Sequence, residues 1–87
     1  MMKTLYLVNN PKLIEQCQAA MSSQDAVLLI EDAVTIATQP CSAGVDGFVL
    51  DEDLIARGLE SVQGWSRTDY VGFVSLTLKF DKVVSWL

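Results

Sequence analysis

With 87 residues the chain can bury one hydrophobic core, so residues 1–87 are expected to form a single domain. A formal charge of −5, with six Lys and Arg scattered from Lys3 to Lys82, argues against direct binding to nucleic acid or to an anionic membrane. No His and only two cysteines, Cys17 and Cys41, exclude Ser-His-Asp and Cys-His nucleophiles, His-bearing zinc sites and an all-thiolate zinc site.

Leu5 to Val8 is a short apolar run and reads as a first strand. Asn10 suits an N-cap and Pro11 a first helical position, with a helix over Lys12 to Met21. Leu13, Ile14, Cys17, Ala20 and Met21 share one face of that helix. Ser22-Ser23-Gln24 connects it to the stretch Asp25 to Asp32. There Ala26 to Ile30 is apolar without alternation and ends in two carboxylates, the pattern of a strand buried on both faces. Asp32 is expected to cap a helix over Ala33 to Thr38, and Gln39 to Gly44 is a loop. Gly47 to Leu50 gives a third strand. A helix over Glu52 to Arg57 opens on Asp51, Glu52 and Asp53 and is ended by Gly58.

Val62 to Thr68 holds a fourth strand, weakened by Gly64 and Ser66, and Asp69 is placed to cap a helix from Tyr70. Val74, Leu76, Leu78 and Phe80 alternate with polar residues as a strand would. The alternating β-α order favours a helix there, and a helix is expected. Val83 to Trp86 closes the chain as a last strand. This order predicts an α/β fold with a parallel sheet and helices on its faces. No apolar run approaches the ~20 residues of a membrane span, and none follows Lys3 as a signal peptide would. A cytoplasmic chain is expected. Half of its residues are apolar, a surplus that suits a subunit interface.

Ligands of such sheets bind at the carboxyl ends of the strands. Asn10, Glu31, Asp32, Asp51, Glu52, Asp53 and Asp69 fall there. Helix capping, an acidic docking edge, and a divalent-metal or phosphoacceptor site all stay open. Glycine-rich phosphate cradles are absent, and no cofactor is expected. Cys17 is either a packing thiol or a functional one. Cys41 reads as an exposed loop residue at the opposite edge. Trp65 and Trp86 flank weak or terminal elements, and Trp86, Leu87 and Phe80 are either core residues or anchors for another subunit.

Leu13-Ile14-Glu15-Gln16-Cys17, the segment Asp25 to Asp32, the segment Val49 to Leu59 and Asp69-Tyr70-Val71-Gly72-Phe73-Val74-Ser75-Leu76 occur in the order seen in TusB/DsrH proteins. The ending Val83-Val84-Ser85-Trp86 fits as well. The chain is therefore similar to this family over nearly its whole length. The resemblance implies a DsrE/F/H-like three-layer α/β/α fold around a five-stranded parallel sheet. It also implies a subunit of a cytoplasmic sulfur-relay complex, a heterohexamer with TusC-like and TusD-like chains. That complex passes persulfide sulfur toward a TusE/DsrC-like acceptor, for 2-thiolation of the tRNA wobble uridine or, in the DsrH branch, for sulfur oxidation. A relay or accessory subunit is implied rather than an enzyme acting alone. Cys17 matches the cysteine of DsrH-type members and is the candidate persulfide carrier. A homo-oligomeric interaction module without sulfur chemistry is the alternative.

Overall fold

The structure, a computed structural model, describes residues 3–42 and 44–86. Strands β1 (Thr4–Val8), β2 (Ala26–Leu29), β3 (Asp46–Leu50), β4 (Trp65–Thr68) and β5 (Lys82–Trp86) form one sheet in the order β4-β3-β2-β1-β5. Every pairing is parallel. A 3-10 turn over Pro11–Leu13 runs into α1 (Ile14–Ala20), and a 3-10 helix spans Glu31–Thr38. Helices α2 (Asp51–Ala56) and α3 (Tyr70–Lys79) complete the set. This is the expected α/β architecture.

The strand order dictates the layers. The chain steps from β1 to β4 in one direction and then returns across the whole sheet to β5. Right-handed crossovers place the forward connections on one face and the return on the other. Packing follows that rule. Val8, Val27, Leu29 and Val49 meet Ile14, Cys17, Ala33, Val34, Ala37 and Leu54 on the first face. Leu5, Ala26 and Leu28 point the other way and meet Phe73, Leu76 and Phe80 on and just after α3. All four residues of β2 are buried, as a central parallel strand requires.

Local chemistry explains most of the element ends. The Asn10 side chain accepts from the Lys12 N–H at 3.0 Å and starts the turn that Pro11 opens. Asp69 caps α3 by accepting from the Gly72 N–H at 2.7 Å. Gly58, with φ +63°, lies just beyond α2 in the left-handed region that L side chains avoid.

Two readings are corrected, and the tryptophans are placed. The first helix is α-helical only from Ile14, because its first turn is 3-10. Asp32 caps nothing: Ile30 precedes the 3-10 helix, and Asp32 lies within its first turn, facing Arg57. Trp65 belongs to the core, 8 % exposed, with its indole Nε1–H donating to the Gln39 carbonyl at 2.8 Å. Trp86 is half-buried and packs edge-on to Tyr6, their ring centroids 6.0 Å apart. Leu87 lies outside the described residues.

Segment 70–79 is the expected helix, and its misleading alternation has a cause. Phe73, Leu76 and, just past its end, Phe80 pack against the sheet. Val71, Val74 and Leu78 lie on the opposite side and are exposed. Two opposed apolar faces on one helix, with small polar residues between them, read as period two in sequence.

Candidate functional site

The carboxyl edge of the sheet collects the acidic residues, and the structure assigns most of their oxygens. Glu31, two residues past β2, holds φ +51°, an unusual backbone for a non-glycine residue. The Glu31 N–H donates to Asp53 Oδ2 at 2.7 Å, tying the end of β2 to the start of α2. Arg57 Nη2 reaches Asp32 Oδ1 at 3.0 Å and its Nη1 lies 3.8 Å from Asp53 Oδ1. Arg57 thus bridges α2 to the neighbouring 3-10 helix. Arg67, near the end of β4, pairs with Asp51, the residue that follows β3 and opens α2. Parallel register explains that pair: Leu50 lies beside Thr68, so the flanking residues meet. Glu52 Oε2 accepts from the Tyr70 N–H at 3.2 Å, while Oε1 is buried without a protein partner among the described residues.

Two recesses lie along this edge. One, of about 550 Å³, sits beyond β1 and β2 and is lined by Asn9, Asn10, Pro11, Lys12, Glu31, Asp32 and Thr35. The other, of about 340 Å³, lies between β3 and β4 and is lined by Asp51, Arg67, Thr68 and Asp69. The chain leaves β3 toward one face of the sheet and β4 toward the other, so the second recess is a topological switch point. Among the described residues, no group of three or more Cys, Asp or Glu is arranged to hold a metal ion. The carboxylates chiefly hold N–H groups and arginines, and so join loops.

The two thiols are placed differently. Cys17 is fully buried in α1, within the core that contains Val8, Leu29, Val34 and Leu54. Burial pushes its thiol up to about 11, so the thiolate is scarce at neutral pH in this arrangement. Cys41 lies at the amino edge, as expected from topology, but it is half-buried rather than exposed. Its Sγ lies 3.6 Å from the Val45 carbonyl oxygen. Burial raises its pKa first and the Asp46 charge second, against a Ser42 N–H that lowers it. Gly47 and Gly64 leave room for this packing. A Cβ on Gly47 would come 2.6 Å from the Trp65 ring and 2.8 Å from Cys41 Sγ.

A groove of about 500 Å³ runs beside α1 and the loop before Cys41, lined by Ile14, Glu15, Gln18, Gln39, Pro40 and Trp65 among others. Sequence reading overlooked this groove and the Arg67–Asp51 pair. The pair was accessible in principle, since the pairing of β3 with β4 brings their ends together. The groove is lined by segments far apart in sequence, from Pro11 to Gln18, from Ile36 to Ser42 and at Trp65, and no local pattern encodes that.

Comparison with known proteins adds identity. A family model described as DsrH like protein matches residues 10–83. Proteins named TusB from Salmonella dublin and Salmonella arizonae are each 37 % identical to this chain, covering 71 % of it and 75 % of the relative. The crystal structure of the ychN protein from E. coli superposes with a TM-score of 0.71, over 99 % of this chain and 100 % of that one. At 19 % identity it supports the fold alone. With the family model spanning all four internal motifs in full and the TusB proteins matching most of the chain, this chain belongs to the DsrH-like, TusB-containing family.

Proposed function

We propose that the chain is a TusB-like subunit of a cytoplasmic sulfur-relay complex, assembled with TusC-like and TusD-like chains. The observation that carries this reading is the family match over residues 10–83. Names of the relatives favour the TusB branch, whose role is sulfur delivery toward a TusE-like acceptor for 2-thiolation of the tRNA wobble uridine. A charge of −5 suits a chain that stays upstream of tRNA.

Relay chemistry is thiolate attack on the outer sulfur of a donor persulfide. The new S–S bond forms as the donor S–S bond breaks, the donor leaves as a thiolate, and the carrier holds Cys-SSH. No net oxidant is required. Cys17 is the candidate carrier within this chain, and its burial sets a condition: α1 must move aside before its sulfur can attack. The alternative assignment within the same complex leaves sulfur on a partner chain and uses this chain as a scaffold. Burial of Cys17 supports the scaffold assignment.

Affinity purification of the tagged chain from its native cytoplasm tests the complex. Two similarly small α/β chains in equal amounts are the expected result. Recovery of this chain alone, with those chains present in the lysate, would overturn it. Alkylation of the native protein separates the two assignments: Cys41 is expected to label before Cys17, which labels only on unfolding. Ready labelling of Cys17 in the assembled complex, together with lost sulfur flux in Cys17→Ala, would establish the carrier assignment instead.

A further inference from the structure

One segment of the first face is held by its neighbours more than by itself. The 3-10 helix Glu31–Thr38 runs for eight residues. Its hydrogen-bond geometry is poor, and 3-10 runs beyond about four residues are uncommon. No side chain caps its start, and the chain enters it through Glu31 at φ +51°. The ties at that start come from elsewhere. The Glu31 N–H donates to Asp53 Oδ2 at 2.7 Å, the Ala33 N–H to the Asn9 carbonyl at 3.2 Å, and Arg57 reaches Asp32. The Asp53 bond is charge-assisted and its side chain only 18 % exposed, so it is the strongest of the three. At the far end the Val62 N–H donates to the Ala37 carbonyl at 2.8 Å, and the Trp65 indole holds the Gln39 carbonyl. Beneath the helix, Ala33, Val34 and Ala37 join the buried cluster that contains Cys17. The turn Pro11–Leu13, which leads into α1, packs against it.

We propose that this 3-10 helix is a latched cover, opening at its Glu31 end with the sheet intact, and that this opening is the path to Cys17. Asp53 is the latch, and the tethered end at Ala37 and Gln39 is the hinge. Lifting the start removes Ala33 and Val34 from the core, one of them an alanine that buries little apolar area. It also frees the turn at the head of α1, which lets α1 move off the thiol. The far face, closed by α3 over Leu28, takes no part. The unfolding that bares Cys17 is then local. The use of this opening rests on the relay reading with Cys17 as carrier; the opening itself does not.

Native-state hydrogen exchange and site-resolved alkylation of the purified full chain test the cover. Amides of Ala33 to Ile36 are expected to exchange faster than those of β2, with Cys17 labelling in step with them. Asp53→Ala is expected to speed Cys17 labelling by roughly tenfold or more. Arg57→Gln, whose ion pair with Asp32 is exposed, is expected to speed it about two- to threefold and serves if Asp53→Ala does not fold. Leu28→Val is the control on the far face. It weakens global stability, so β2 exchanges faster, but Leu28 stays packed in the opened form and Cys17 labelling is expected to hold its parent rate. Cys17 labelling that Leu28→Val speeds in step with β2 would overturn the proposal, because it marks global unfolding as the path. So would labelling that Asp53→Ala and Arg57→Gln both leave unchanged, or amides of Ala33 to Ile36 as protected as those of β2. Neither readout involves sulfur flux or a partner chain, so failure here is separate from failure of the relay reading.

Discussion

The two faces of the sheet are covered by different means. On one, α1, the 3-10 helix and α2 lie side by side over Val27 and Leu29. On the other, α3 alone covers Ala26 and Leu28. Both pairs of β2 residues are fully buried, so each face is sealed at its centre. Away from the centre they diverge. Both faces have half-buried residues at their margins, Tyr6 and Trp86 on the first face and Leu7, Ile30 and Phe48 on the second, but only the second is covered by a helix that is apolar on its outer side too. A face sealed by several segments is a finished core. A face sealed by one helix with a second apolar side leaves apolar surface at its outer layer. Cys17 is shut inside the first face, while Val71, Val74 and Leu78 on the outer side of α3 are exposed.

The sharpest way to break this comparison is to cut the same hole on each side. Leu29→Ala and Leu28→Ala are each expected to cost about 2–5 kcal/mol in urea unfolding of the purified chain. Nearly equal losses would show that α3 closes its face at the centre as firmly as three segments close the other. A much smaller loss for Leu28→Ala would show that the α3 face is loosely held until a partner covers it.

Overpacking probes the finished face next. Gly47→Ala places a methyl group against the Trp65 ring and Cys41 Sγ and is expected to cost about 1–3 kcal/mol, read from the same unfolding curves.

Asp25, which lies where both faces meet at the amino edge, gives a smaller and pH-dependent effect. Its carboxylate accepts from the Ser22 N–H at 2.8 Å and the Thr4 N–H at 2.9 Å. The Ser22 N–H holds its pKa below the usual range, against burial, with Thr4 adding to the lowering. A folded pKa lower than the unfolded one means that the stability it contributes is present at neutral pH. That contribution drains as pH falls below about 4 and through the depressed value. Asp25→Asn is expected to lose about 1–2 kcal/mol at neutral pH and to flatten the acid limb of the stability curve. An unchanged acid limb would remove Asp25 as its source.

Smallest of all should be Leu78→Ala on the outer side of α3. In the dilute, unassociated chain it is expected to change stability by less than about 0.5 kcal/mol, since the side chain is 82 % exposed. A larger loss would mean that the stripe already packs within one chain.

How far the sequence foretold this structure depends on the range of the signal. Ala26 to Ile30 was legible as a doubly buried strand because burial on both faces leaves no alternation. Asn10, Asp69 and Gly58 were legible as caps or stops because each acts on backbone groups within three residues. Asp32 resembled them locally but turned to Arg57, twenty-five residues away, a partner that only the packing of α2 beside the 3-10 helix brings near. Trp65, beside a weak strand, was given no place by the sequence; it is core because the loop before β3 folds back to offer its indole the Gln39 carbonyl.

Strand order is the feature that local patterns left open. Alternating strands and helices determined a parallel sheet with right-handed crossovers, and family resemblance carried the identity. Only the tertiary structure decided that β5 returns beside β1. That return leaves one helix to cover a whole face, and it makes the apolar outer side of α3 a surface rather than a core. Burial of Cys17 was likewise a tertiary decision. Helical spacing put it on the apolar side of α1, but packing of α1 against β1, β2 and the 3-10 helix removed water from the thiol and raised its pKa.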